Sequence, residues 1–210
     1  MTQNNYQKFL DTVSHIDKSK KPSLLLHVCC APCSTACLEV LNEYFDITVF
    51  YYNPNIAPFN EYQKRLAEEQ KFVATCYPTI KIVEVGYENE KFEQIAKGCE
   101  DSTEGGERCK KCYSLRLKKT GEYAKENGFD YFTTTLTVSP YKNSQVLNQI
   151  GEEIAQELGI NYLTSDFKKN DGYKRSIVLS KEFDLYRQDY CGCQYSKKAR
   201  ENYKKQKGEY

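Results

Sequence analysis

Residues 23–34 read SLLLHVCCAPCS, an apolar run that ends in three cysteines. Ser23–Cys29 has the near-continuous apolar character of a strand in a parallel sheet covered on both faces, and DITVFYY at Asp46–Tyr52 repeats it. IKIVEV at Ile80–Val85 and DYFTTT at Asp130–Thr135 read as two further strands. The spacing predicts helices over Ser34–Tyr44, Asn60–Thr75, Cys112–Asn127 and Ser144–Leu158. Ser34 and Ser144 are the expected N-caps, and Gly128 and Gly159 the expected glycines past the C-termini. Strands alternating with helices over short links predict an α/β domain built on a parallel sheet with right-handed crossovers.

Outward from that core, the chain reads as a single domain over 1–210, with the α/β part at about 23–164 and an extension at 165–210. In the extension Asp166–Ser176 is polar and contains glycine, a helix is expected to begin near Ser180, and a basic tail follows. Hydrophobic residues make up 40% of the 210 and the formal net charge is +1, so no whole-molecule field recruits nucleic acid. Any RNA contact must come from local basic patches. No apolar run approaches the ~20 residues of a membrane span. Met1–Lys21 is polar and mixed in charge, and nothing marks export, so a cytoplasmic protein is expected.

The outlying number is ten cysteines. Without an export signal, and in a chain large enough to need no staples, disulfides are disfavoured. Cys29-Cys30 and Cys191-Gly192-Cys193 also place thiols where a bridge would close almost no loop. Metal binding or redox chemistry remains. Three segments carry it: Cys29-Cys30-Ala31-Pro32-Cys33, between strand and helix; Cys109-Lys110-Lys111-Cys112, in basic surroundings at the head of a helix; and Cys191-Gly192-Cys193. Backbone N–H groups and the helix dipole at such a junction favour thiolates. Seven sulfurs exceed the four thiolates of one zinc or one four-iron centre and suit a cluster with a second metal nearby. Cys37, Cys76 and Cys99 read as packing residues, and His27 as a satisfied core group. No glycine-rich dinucleotide or Walker-type phosphate loop occurs.

Six ordered stretches, LLLHVCCAPCS (24–34), YNPNIAPFNEYQKR (52–65), ERCKKCYSLRL (107–117), GFDYFTTTLTVSPYKN (128–143), SDFKKNDGYKRS (165–176) and LSKEFDLYRQDYCGCQYS (179–196), resemble the epoxyqueuosine reductase (QueH) family of tRNA queuosine synthesis. The resemblance implies a three-layer parallel-sheet domain similar to the nucleotide alpha-hydrolase (PP-loop/HUP) fold, with a C-terminal helical extension completing the metal site. It further implies a 4Fe-4S cluster, an adjacent metal ion (iron or zinc), and two-electron reductive deoxygenation of epoxyqueuosine in tRNA to queuosine. The implied partners are that tRNA and an electron-donor protein such as a ferredoxin or flavodoxin, with no membrane involved. In a sheet of order 3-2-1-4-5, the ends of strands 1 and 4 would flank the switch point at which α/β proteins bind ligands.

On that footing Cys30, Cys109, Cys112 and Cys191 are assigned to the cluster, and Cys29, Cys33 and Cys193 to the second metal. Tyr190, Tyr141 and Asp166 are candidate proton donors. Ser139, Lys142 and Thr137 are substrate-pocket candidates, and Asn53 and Asn55 are weighed between binding the deazaguanine edge and making a turn. Glu61 and Arg65, at i and i+4, read as a surface ion pair. The basic runs Arg108–Lys119, Lys168–Arg175 (with Lys174 and Arg175) and Lys197–Lys207 are the expected tRNA contacts, with Tyr113, Tyr173 and Tyr195 available for base stacking. The competing readings are a zinc-stabilised RNA-binding protein and a dithiol oxidoreductase using Cys109 and Cys112.

Overall fold

A computed structural model describes residues 4–208; the ends of the expected domain, 1–3 and 209–210, lie outside the described residues. Five parallel strands form one sheet in the order β3-β2-β1-β4-β5. They are β1 (Ser23–His27), β2 (Asp46–Tyr51), β3 (Lys81–Glu84), β4 (Tyr131–Thr134) and the two-residue β5 (Asn161–Tyr162), which sequence periodicity did not reveal. The central strand β1 pairs with both neighbours, Leu25 opposite Thr48 on β2 and Phe132 on β4. Leu24, Leu25 and Leu26 are fully buried, and the period of two sends them alternately to opposite faces. Leu24 and Leu26 pack with α1 (Asn5–Ser14), α2 (Ala31–Leu41) and α3 (Phe59–Cys76); Leu25 packs with α5 (Glu107–Glu126) and α6 (Ser144–Leu158). Burial of each is worth roughly 1.5–3 kcal/mol. The result is the expected three-layer α/β arrangement, in the order the switch-point argument assumed. Among the described residues no helix is long and apolar enough to cross a membrane.

Several boundaries differ from expectation. Helix α2 starts at Ala31 with Cys30 at its N-cap, so Ser34 does not cap; its hydroxyl is buried and donates to Glu69 instead. Ser144 is the first residue of α6, and the Asn143 side chain caps it by accepting from the amides of Gln145 and Val146. Helix α5 begins five residues before Cys112, so both cysteines of the C-x-x-C motif lie in its first turns. The short α4 (Asn89–Ala96) precedes it. In the extension the helix begins early: α7 spans Gly172–Glu182, and a second helix, α8 (Gln194–Lys207), follows Cys193. Gly172 reads as a loop residue in sequence, yet a side chain there would collide with the Phe167 carbonyl. Close approach, not chain breaking, requires the glycine.

Candidate metal centre

The three cysteines after β1 are gathered by the start of α2. Cys30 is extended at the N-cap, and its carbonyl accepts from the amides of Cys33 and Ser34, folding the chain back on itself. The Sγ atoms of Cys29 and Cys30 lie 3.7 Å apart, and those of Cys30 and Cys33 3.2 Å apart. All three fall within 4.8 Å of one another, the only such group of potential metal ligands among the described residues. A tetrahedral ion with bonds of about 2.3 Å to sulfur places its thiolates roughly this far apart, so the three can hold one metal ion. Hydrogen bonds from Cys30 and Cys33 hold the Cys29 thiol well below its ordinary pKa. The interaction with Cys29 pushes Cys30 up to about 12, and Cys33 is raised further by the same two neighbours. Ionising all three thiols at this spacing therefore requires a bound cation to offset their mutual repulsion.

A second group forms where α5 meets the 191–193 loop. Cys109 and Cys112, three residues apart on one helical face, line one small cavity with Cys191 and Cys193; Asn55, Phe92, Arg108 and Tyr113 complete its wall. Burial raises Cys109 and takes Cys112 to about 12, and each is also raised by the charges of Cys191 and Cys193. The loop is pinned from three sides. Arg65 donates to the Cys191 carbonyl at 3.2 Å, the Ala57 amide donates to the Gly192 carbonyl at 3.0 Å, and Cys193 Sγ caps α8 by accepting from the Ser196 amide. Gly192 sits at φ +127°, where a Cβ would press on Ile56 at 3.0 Å and on the Arg65 guanidinium at 3.1 Å. These four cysteines do not fall within the tight spacing of the first three, and Asn55 Oδ1 in the same wall is without a partner.

The two groups adjoin. Cys191 and Glu104 line both the cavity and a cleft of about 510 Å³ whose floor holds Cys29, Cys30 and Cys33. The cleft opens at the ends of β1 and β4, as the strand order requires. Ser139, Tyr141, Lys142 and Tyr190 line it as expected, as does Tyr173. Lys142 is half-buried; burial alone would lower it, but the charges of Cys191, Tyr113, Cys29 and Cys33 outweigh this and keep it protonated. Arg200, from the basic run 197–207, also lines the cleft, as does Arg187, which sequence reasoning missed because an isolated arginine carries no local signal.

Other expected site residues serve the scaffold. Asp166 does not line the cleft and pairs with Lys168 at 2.9 Å. Thr137 is buried against the Ser165 hydroxyl. Asn53 is buried, donating to the Val28 carbonyl and accepting from Arg116 at 2.6 Å. Arg116 is itself 1% exposed and donates to His27 Nε2, whose Nδ1–H then faces Thr134 Oγ1 at 2.8 Å. Burial, then Arg116, hold His27 neutral at about 3. Arg108 is likewise buried, donating to the Cys99 and Glu100 carbonyls, so the run 108–119 is only partly a surface. Glu61 and Arg65 are no surface pair: they meet at 2.7 Å with Arg65 1% exposed, and breaking such a pair costs roughly 3–5 kcal/mol. Lys174 pairs with Asp171, and Arg175 forks onto Glu39, both outside the cleft lining. Tyr113 is buried, and Tyr195 lies over Arg108 with its hydroxyl on Glu93, so Tyr173 alone of the three stacking candidates faces the cleft. Cys37 is core, Cys76 packs at the core's edge, and Cys99 accepts from Lys111 Nζ at 3.3 Å.

A family model described as epoxyqueuosine reductase QueH matches residues 24–199. Among curated relatives, the epoxyqueuosine reductase QueH of Streptococcus pyogenes serotype M1 is 44% identical over 200 residues, covering 92% of this chain and 78% of the relative. That of Staphylococcus epidermidis is 41% identical, over 91% of this chain and 84% of the relative. That of Thermotoga maritima is 36% identical, over 83% and 90%.

Proposed function

The chain belongs to the epoxyqueuosine reductase QueH family, and on that premise we propose that it reduces the epoxide of epoxyqueuosine in tRNA to the alkene of queuosine. Two electrons and two protons enter, and the epoxide oxygen leaves as water. The observation that carries the reading is the convergence of seven thiols from three distant segments into two adjoining groups that share Cys191 in the cleft wall. Cys109, Cys112, Cys191 and Cys193 would hold a 4Fe-4S cluster, and Cys29, Cys30 and Cys33 would hold the second metal. This division exchanges Cys30 and Cys193 relative to the sequence-based assignment. When bound, the cluster supplies electrons singly and the neighbouring ion supplies a Lewis acid for the epoxide oxygen.

The chain's own residues do the rest. Lys142, held protonated in the cleft, presents a donor toward the reacting oxygen, and the Tyr190 and Tyr141 hydroxyls are the further proton sources. Tyr173 stacks on the splayed anticodon base, and Arg187 and Arg200 meet its phosphates. The setting is cytoplasmic, where the tRNA is. The test is to incubate anaerobically reconstituted, reduced protein with tRNA carrying epoxyqueuosine, then digest and identify the nucleoside. Queuosine is expected. A colourless protein with stoichiometric zinc, no sulfide and no queuosine would establish the zinc-stabilised RNA-binding alternative instead.

A further inference from the structure

A second groove, of about 560 Å³, lies between α4 and α5 and shares no lining residue with the substrate cleft. Five lysines surround it, Lys91, Lys97, Lys111, Lys118 and Lys119, against the single carboxylate of Glu122. Lys91 and Lys118 are partly neutralised by Glu88 and Glu157, whereas Lys97 and Lys119 make no ion pair among the described residues. The floor includes Ile95 and Leu115. These two side chains also pack against the buried cluster formed by Phe92, Ala96, Cys112 and Cys193. One layer of apolar side chains therefore separates the groove from the four-thiol cavity.

We propose that this groove is the docking site of a small acidic one-electron carrier protein, which passes electrons through the Ile95–Leu115 wall to the group held by Cys109, Cys112, Cys191 and Cys193. The inference rests on the cluster assignment above. Each encounter oxidises the carrier by one electron and reduces the cluster by one, so two encounters supply the pair that each epoxide consumes. Substrate fills the cleft during turnover, so electrons need another face, and across this groove the wall is the Ile95–Leu115 layer. Its chemistry favours an acidic protein over RNA. Lysines with mobile, strongly hydrated ammonium groups create a steering field without fixed geometry, as brief redox encounters need. RNA recognition adds arginine forks on phosphates and exposed aromatic faces for base stacking to its lysines, and the groove lining offers no arginine and only the buried Tyr52. Arginines and tyrosines line the cleft instead.

The test uses the iron-loaded protein and its Gln94→Glu/Lys97→Glu variant, with Lys20→Glu, in the turn before β1, as a control for charge reversal elsewhere on the surface. Stopped-flow absorbance follows cluster reduction by photoreduced flavodoxin, an acidic flavoprotein, and separately by reduced methyl viologen. The double variant is expected to slow the flavodoxin reaction at least tenfold at low salt and to flatten its salt dependence. Viologen reduction, tRNA binding by anisotropy and the Lys20→Glu variant should be unchanged. An unaltered flavodoxin rate in the double variant overturns the docking site alone, and a loss of tRNA affinity with no loss of that rate assigns the groove to RNA instead. A protein with no chromophore that viologen can reduce brings down the cluster assignment, and the docking proposal with it.

Discussion

At the scale of single residues, the site rests on buried polar groups whose charge states the fold enforces. Glu69 is fully buried behind α2, accepts from Ser34 at 2.9 Å and leaves its other oxygen without a partner. Burial, with a smaller contribution from Cys29 and against the Ser34 hydrogen bond, raises it from 4.5 to about 8. Between those values the folded protein holds a proton that the unfolded chain has released. Its contribution to stability is therefore full below pH 4.5 and is lost as pH rises toward 8. Glu69→Gln keeps the shape and removes the titration. Urea midpoints measured from pH 5 to 8.5 should show the variant gaining on the parent as pH rises, by a few kcal/mol at the alkaline end. Parallel curves would mean that Glu69 is ionised in the folded state. None of this was legible in sequence, where Glu69 is one carboxylate in an ordinary helix. Arg65 and Arg116 misled for the same reason: a cation in a charged stretch reads as surface until the fold shows which side it faces.

At the scale of elements, two helix starts and one loop bring the seven cysteines together. Helix α2 begins at the first three cysteines, α5 carries two more three residues apart, and the glycine-centred loop before α8 supplies the last pair. The revised division has a direct consequence. Cys30→Ala should remove the single metal ion and leave the cluster's visible absorbance and sulfide content intact, whereas Cys193→Ala should abolish both. Iron and sulfide assays on the two purified variants decide this. Loss of the cluster in Cys30→Ala would restore the original grouping, in which Cys30 is a cluster ligand. Sequence marked all three segments, because paired cysteines near helix starts are a local pattern. The division proposed above differs from the sequence-based one because it follows which cysteines line one cavity, and Cys193 reaches α5 through the anchoring of Gly192 by Arg65 and Ala57.

At the scale of the whole molecule, the proposed cluster would tie the C-terminal helix to the core through Cys193. Ser196 is the only buried residue of α8, and the helix is held at its start by Cys193, by Gln194 and Tyr195 on Glu93, and by Arg200 and Lys204 on Asp189. Surface ion pairs of this kind contribute roughly 0–1 kcal/mol each. Stripping the metal anaerobically should therefore expose α8 to trypsin at Lys197 and Lys198 while the sheet domain stays intact; equal protection in loaded and stripped protein would show that α8 needs no metal to dock. By itself the sequence determined the parallel α/β class, four of the five strands and the seven cysteines, because strand periodicity, helix spacing and thiol pairing are local properties, whereas the strand order came from the structure. Only the tertiary structure showed which sulfurs lie near one another, that Asn53 and Arg116 are buried in one hydrogen-bond network, and where a second, lysine-lined groove lies. Those are matters of burial and distance between segments remote in the chain, and no local pattern encodes them.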